Sequence, residues 1–198
     1  MMPTDSPVLP LRTTRIDQLQ IQVHHSRRTL GIAAAHAAAE SIRHALANNQ
    51  RARVLFACAP SQNELIDELV RQPNINWAQV VGFHMDEYVG LAAAHPASFR
   101  HYLQRHLRSQ ITLKCIHELE GDAKHTRDEC KRYTQLLKEH PIDVAFLGIG
   151  ENGHLAFNDP PWADFADPET VKQVRLDEVC RQQQVNDGSF ARLAEVPQ

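Results

Sequence analysis

Apolar and polar positions along the chain fall into blocks that read as helix and strand in turn. Leu19 to Val23 reads as a short strand, after a Met1 to Arg15 stretch expected to be a flexible leader. Ser26 is a helix-capping residue type, and a long helix is predicted from it to Asn48-Asn49. The alanines between Ala33 and Ala39 give that helix high propensity and let it pack closely on a sheet. Val54 to Ala57 reads as a buried strand. Next comes Pro60-Ser61-Gln62-Asn63-Glu64, where Ser61-x-x-Glu64 has capping-box spacing, so a helix is predicted from Ser61 to about Gln72. Val80 to Phe83 is the next strand, followed after a loop by a helix from Ser98 to Arg108 and a short strand from Cys115 to Leu119. Between Thr126 and Glu139, Cys130, Tyr133, Leu136 and Leu137 recur at helical spacing. Asp143 to Leu147 is a further strand, and Val171 to Leu176 is predicted as the last, before a polar segment from Asp177 to Gln198.

Such alternation predicts a doubly wound, mostly parallel α/β domain, a Rossmann-like three-layer arrangement joined by right-handed crossovers. No linker divides the chain, so residues 16–198 are expected to form one domain. The 198 residues, 42% hydrophobic, suffice for a sizeable core. A net charge of −3 argues against nucleic-acid binding, which favours a basic surface. No run reaches the ~18 apolar residues of a membrane span, and the N-terminus lacks a signal-peptide core. Cys58, Cys115, Cys130 and Cys180 are widely spaced, as expected of reduced thiols in a cytoplasmic protein.

Candidate chemistry gathers where predicted strands end, the place where open α/β sheets bind ligands. Val144 to Leu147 feeds Gly148-Ile149-Gly150-Glu151-Asn152-Gly153-His154-Leu155-Ala156-Phe157-Asn158-Asp159-Pro160, in which the glycines permit a sharp turn and close approach to a ligand. His154 is the expected centre of an active site, and Asp159 could orient it and balance its charge. Asp86 and Glu87 follow the Val80 to Phe83 strand, and Asp86 is expected to point towards the same sheet edge as His154. A carboxylate beside an imidazole is a usable acid/base pair near neutral pH. Ser61 and the first N–H groups of its predicted helix would make an anion site, though Ser61 could equally serve only as a cap. Gly148-x-Gly150-x-x-Gly153 matches the dinucleotide fingerprint literally, but Asn158, Pro160 and Pro161 argue against the helix that the fingerprint requires, so no cofactor is expected. His84, Asp86, His95, His154 and Asp159 supply metal-ligand types without metal-ligand spacing, and no metal is assigned.

Phe83-His84-Met85-Asp86-Glu87-Tyr88-Val89-Gly90, the later His95-Pro96-x-Ser98, and the glycine loop from Gly148 to Pro160 together resemble the glucosamine-6-phosphate deaminase family, which shares a superfamily with 6-phosphogluconolactonase. The resemblance extends over about residues 18 to 198. It implies conversion of glucosamine 6-phosphate and water to fructose 6-phosphate and ammonia, without an organic cofactor. Residue by residue, Asp86 matches the carboxylate that moves a proton between C2 and C1, and His154 the histidine that helps open the sugar ring. Asp159 stands where many members have a glutamate supporting that histidine, and Asn152 where many have an aspartate. A divergent branch shares this Asn152 and the run from Arg181 to Gly188. Ser61, Gln62 and Asn63 stand in place of the family's phosphate loop, Glu87, Gly150 and Gly153 line the expected sugar site, and Arg181 is a candidate phosphate ligand.

Family members continue through further strands and helices carrying a phosphate-binding lysine, so the chain is expected to be a shortened version. An exposed sheet edge would invite pairing, and a homo-oligomer is among the expectations. The main reading is therefore a deaminase whose partner is a phosphorylated amino sugar. Its alternatives are a lactone hydrolase of the same superfamily and a sugar-phosphate-binding protein without turnover.

Overall fold

The computed structural model describes residues 8–160 and 162–198. Strands β1 (Arg12–Ile16) and β2 (Leu19–Val23) form an antiparallel hairpin. Helix α1 (Arg27–Asn49) leads to β3 (Ala52–Phe56), a 3₁₀ turn at Pro60–Gln62 and helix α2 (Asn63–Leu69). Strand β4 (Val80–His84) precedes α3 (Phe99–Leu103), which continues as a π-helical turn to Arg108. Then come β5 (Cys115–His117), α4 (Thr126–Glu139), β6 (Val144–Ala145) and α5 (Glu178–Asn186). Strands β5-β4-β3-β6, in that order, make one parallel sheet with helical crossovers, the doubly wound α/β fold. No helix among the described residues is long and apolar enough to cross a membrane.

Several boundaries differ from the sequence reading, each for a local physical reason. Residues 12–15 of the expected leader are strand, because Arg12 to Arg15 pair with Gln20 to Val23 across a turn where Asp17 takes a left-handed φ of 50°; residues 1–7 of that leader lie outside the described residues. Ser26 caps α1 as predicted, accepting from the Thr29 amide at 3.2 Å while Thr29 Oγ1 accepts from the Ser26 amide at 3.1 Å. Ser61 caps no helix: it lies inside the 3₁₀ turn, and Glu64 turns away to ion-pair with Arg27 at 2.9 Å. Val171 to Leu176 is irregular rather than strand, and the polar segment after it contains α5. Strand β6 is only two residues long, so the chain leaves the sheet earlier than its apolar run suggests.

The main core joins the alanine face of α1, including Ala35, Ala38 and Ala39, to Val54, Phe56, Ile66 and Leu69. Opposite lies a smaller cluster in which Tyr133 of α4 packs on Phe83. Arg53 is buried on β3, its guanidinium donating to the carbonyls of Leu136 and His140 at the end of α4 and lying 4.6 Å from the Phe83 ring centroid.

One contact fixes how β4 leaves the sheet. Strand β5 ends at His117, opposite Phe83, so the backbone of His84 has no strand partner on that side. The Tyr133 hydroxyl takes that place, accepting from the His84 amide at 3.0 Å and donating to the His84 carbonyl at 2.8 Å. Tyr133→Phe leaves both buried backbone groups unpaired, and the cost is about 1–3 kcal/mol. Urea unfolding of the two proteins should show a lower midpoint with an unchanged slope; an unchanged midpoint would mean that the strand exit does not depend on Tyr133.

Candidate active site

The exit that Tyr133 secures carries Asp86 and Glu87 to the wall of a cavity of about 660 Å³. The same wall includes Leu147, Gly153, Ala156 and Phe157 from the loop after β6, so two strand exits of the sheet meet at one opening. Asp86 is half-buried there. Loss of solvation first, and the negative charge of Glu87 second, push its carboxyl up to about 7. The carboxyl is therefore a base poised near neutral pH.

Residues on either side of Asp86, His84 and Glu87, hold the turn. His84 is fully buried, and its Nε2 accepts from the Leu119 amide at 2.6 Å, which assigns the ring proton to Nδ1. Burial, and then the charge of Arg100, bring it down to about 3, so it is neutral. Glu87, expected at the sugar site, does line the cavity, but protein donors take up its carboxylate. Its carboxylate receives the amides of Tyr88, Phe99 and Arg100, the Ser98 hydroxyl and the Arg100 guanidinium. Those five donors leave no acceptor free for a sugar hydroxyl. Glu87 instead binds the β4 exit to the start of α3.

The loop from Leu147 to Pro160 is held from both sides. No helix starts in the described part of it, so the dinucleotide fingerprint lacks its helix. Phe157 inserts into a third apolar cluster, with its ring 5.0 Å from Tyr88 and 5.7 Å from Phe99. The Tyr88 hydroxyl in turn donates to Gln184 of α5 at 2.7 Å. Gly153 takes a φ of +87°, a conformation other residues adopt only with strain. Gly150 faces the His154 ring so closely that a Cβ there would lie 2.2 Å from Cε1 and 2.4 Å from Nε2.

The structure brings Asn152, His154 and Asp159 together behind this loop. His154 Nδ1 is 2.7 Å from Asn152 Oδ1 and 3.1 Å from Asp159 Oδ1. Asp159 is fully buried, and Asn152 Nδ2 donates to its Oδ1 at 3.0 Å. Nδ1 thus faces two acceptors and carries the ring proton, leaving Nε2 as the atom free to exchange one. The shorter Asp159 side chain does reach the imidazole. His154 is nearly buried and is not among the residues lining the cavity, whereas Asp86 and Gly153 are.

The expected phosphate ligands are distributed differently. Ser61 and Gln62 abut the glycine loop, with Ser61 Oγ 3.3 Å from where a Cβ on Gly148 would sit. Gln62 Nε2 donates to Ser61 Oγ at 3.2 Å, and Asn63 Oδ1 accepts from the Tyr102 hydroxyl at 2.8 Å. Asn63 is thereby committed to α3. Arg181, expected as a candidate phosphate ligand, turns its Nη2 to the carbonyls of Leu193 and Val196 and so fastens the last turn of the described chain. None of these four residues lines the cavity that contains Asp86.

Of the side chains considered for a metal, only His154 and Asp159 come together, with Cys180 as a third member within 4.8 Å, among the described residues. Burial and the charge of Asp159 push the Cys180 thiol up to about 12, so it packs as a neutral side chain. Burial likewise pushes Cys58, at the exit of β3, well up, which suits neither a nucleophile nor a ligand. The sequence reading missed Asp177, which joins Asn152, Asp159 and α5. An acid directly before Glu178 is a helix-start signal, but it was obscured because the helix itself was not recognised.

Comparison with known proteins adds an independent line. The family model described as glucosamine-6-phosphate isomerases/6-phosphogluconolactonase matches residues 25–173. The glucosamine-6-phosphate deaminase of Lactobacillus acidophilus is 37% identical over 109 residues, covering 55% of this chain and 46% of that one. That of Listeria welshimeri is 37% identical over 142 residues, 72% of this chain and 58% of that one. The chain thus spans about half the length of the curated relatives it matches. Among solved structures, a monomeric glucosamine-6-phosphate deaminase superposes with a TM-score of 0.77 at 25% identity, over 87% of this chain and 70% of that one. A 6-phosphogluconolactonase from Shewanella baltica, at 20% identity and a TM-score of 0.58 over 66% of this chain and 56% of that one, shares the fold. With three quarters of its length inside the family model and both strand-exit motifs meeting in space, the chain belongs to the glucosamine-6-phosphate isomerase/6-phosphogluconolactonase family.

Proposed function

We propose that the protein acts as a glucosamine-6-phosphate deaminase, converting the amino-sugar phosphate and water to the ketose phosphate and ammonia. One observation carries this reading: Asp86, pushed up to about 7, lines the cavity where the β4 exit meets the His154 loop. In the proposed reaction His154, through Nε2, moves the proton that opens the sugar ring. Asp86 takes the C2 proton as a carboxylate and returns it to C1. The resulting ketose imine at C2 adds water and releases ammonia. Asp159 and Asn152 keep Nδ1 protonated and the ring oriented, while Ser61 and Gln62 beside Gly148 are the proposed neighbours of the phosphate. The substrate class is a phosphorylated amino sugar, and the deaminases among the relatives support that choice over lactone hydrolysis.

Asp86→Asn should abolish ammonia release from glucosamine 6-phosphate, measured by a coupled assay, while the sugar phosphate still binds in calorimetry. Full activity of this variant would overturn the assignment, and hydrolysis of 6-phosphogluconolactone without ammonia release would select the lactonase reading. Because the base must be ionised to accept the C2 proton, kcat/KM should rise with pH through about 7. A flat profile across that range would exclude Asp86 as the base.

The same group makes a stability prediction of defined sign. A carboxyl raised from about 3.9 in the unfolded chain to about 7 in the folded protein binds its proton more tightly when folded. Its favourable contribution is complete below the unfolded value and is lost as pH rises through the folded one. Asp86→Asn should therefore raise Tm most above neutrality, with the gain shrinking towards pH ~4. A gain that grows on acidification would contradict the raised value.

Gly150→Ala drives a methyl into the His154 ring, so the imidazole or the loop must move. A displacement of ~1 Å at a reacting group costs about 100-fold in rate, and a fall in kcat of that order is expected. Unchanged kcat would show that His154 is not needed in its present position.

A further inference from the structure

Two carboxylates converge on a single amide nitrogen behind the His154 loop. Asn152 Nδ2 donates to Asp159 Oδ1 at 3.0 Å and to Asp177 Oδ2 at 3.2 Å. Both facing atoms are acceptors only, so the amide can sit in one orientation, with its nitrogen towards the acids and Oδ1 towards His154. That oxygen receives the His154 amide at 3.1 Å and lies 2.7 Å from Nδ1. Asp177 is the less buried of the two acids and divides its oxygens between two tasks. Oδ2 holds Asn152, while Oδ1 caps α5 by accepting from the Cys180 amide at 2.7 Å. Its own amide donates to Asp159 Oδ2 at 2.9 Å, which closes the ring of contacts.

We propose that Asp177 is a positioning residue for His154, acting through Asn152 to hold the imidazole with its proton on Nδ1 and Nε2 free. This rests on the proposed role of His154 in turnover. If Asp177 is removed, Asn152 loses one of its two acid partners and keeps Asp159 Oδ1, which it shares with the imidazole, and the His154 amide. The amide is then held less firmly, and the imidazole whose Nδ1 leans on its Oδ1 is free to shift. The arrangement also requires an amide at 152. An aspartate there would set a third carboxylate within hydrogen-bond distance of Asp159 and Asp177 and remove their shared donor, so restoring an acid at this position impairs the site.

Asp177→Ser separates positioning from support. Serine is a good helix cap, so α5 keeps its start, but the shorter hydroxyl does not extend to Asn152. The full chain and this variant are compared by kcat and KM for ammonia release, by Tm, and by the ring ¹H–¹⁵N signals of His154 in histidine-labelled protein, assigned with His154→Gln. Expected are a roughly tenfold to hundredfold fall in kcat, the range for losing a hydrogen bond to a charged group, a near-constant KM and Tm, and movement of the Nδ1–H signal. Asn152→Asp, tested in parallel, should also lower kcat. Wild-type kcat with unmoved His154 signals in Asp177→Ser, or wild-type kcat in Asn152→Asp, overturns the proposal. If the unmodified chain releases no ammonia, the deaminase reading fails by itself, and the ring signals still decide: movement supports the positioning role and constancy overturns it.

Discussion

Two carboxylates and an imidazole share one largely buried corner only if something between them donates, and Asn152 is that donor. Without its amide nitrogen, Asp159 and Asp177 would each lose a donor, at a cost of about 1–3 kcal/mol for a buried acceptor left unpaired. With it, the acids accept from Asn152, from the imidazole and from the first turn of α5, whose positive end also favours negative charge. The glycine loop, α5 and the chain between them are joined at this point. The small sheet does not hold the loop itself, since β6 pairs through only two residues.

The other half of the site is positioned by side chains that replace missing strand. Strand β4 outlasts its neighbour β5, and Tyr133 and the His84 ring take up the hydrogen bonds that a longer β5 would have made. Glu87 then ties the exit to the start of α3 through five donors. Asp86, between these two anchored residues, is left without comparable partners, and its charged form is therefore disfavoured. The poised carboxyl follows from what its neighbours have taken. The hydrogen bonds made by 84 and 87 fix the turn, and poor solvation at 86 makes it reactive.

Much of this was legible in local residue patterns. The alternation of helix and strand gave the α/β class, Ser26 gave the start of α1, and the apolar runs at 54 and 80 gave β3 and β4 within a residue or two. The two strand-exit loops do meet at one cavity. Legibility failed where one residue type serves two purposes. Ser61-x-x-Glu64 satisfies the capping-box pattern, yet Glu64 pairs instead with Arg27, distant in sequence. Glu87 and Arg181 look like ligands by residue type, and folding also brings both against backbone groups that no local pattern announces.

The sequence by itself determined the layered α/β architecture and the two loops in which chemistry resides, because periodicity, glycine placement and strand-exit position act over a few residues. Only the tertiary structure decided which polar side chains remain available, because hydrogen-bond capacity is consumed by partners far away in the chain. Asp177, 25 residues from Asn152, and Tyr133, 49 residues from His84, could not be assigned a part until folding brought them within 3.2 Å and 3.0 Å of those residues. Desolvation follows the same rule. The shift of Asp86 to about 7 depends on the protein packed around it, which no local pattern of residues encodes.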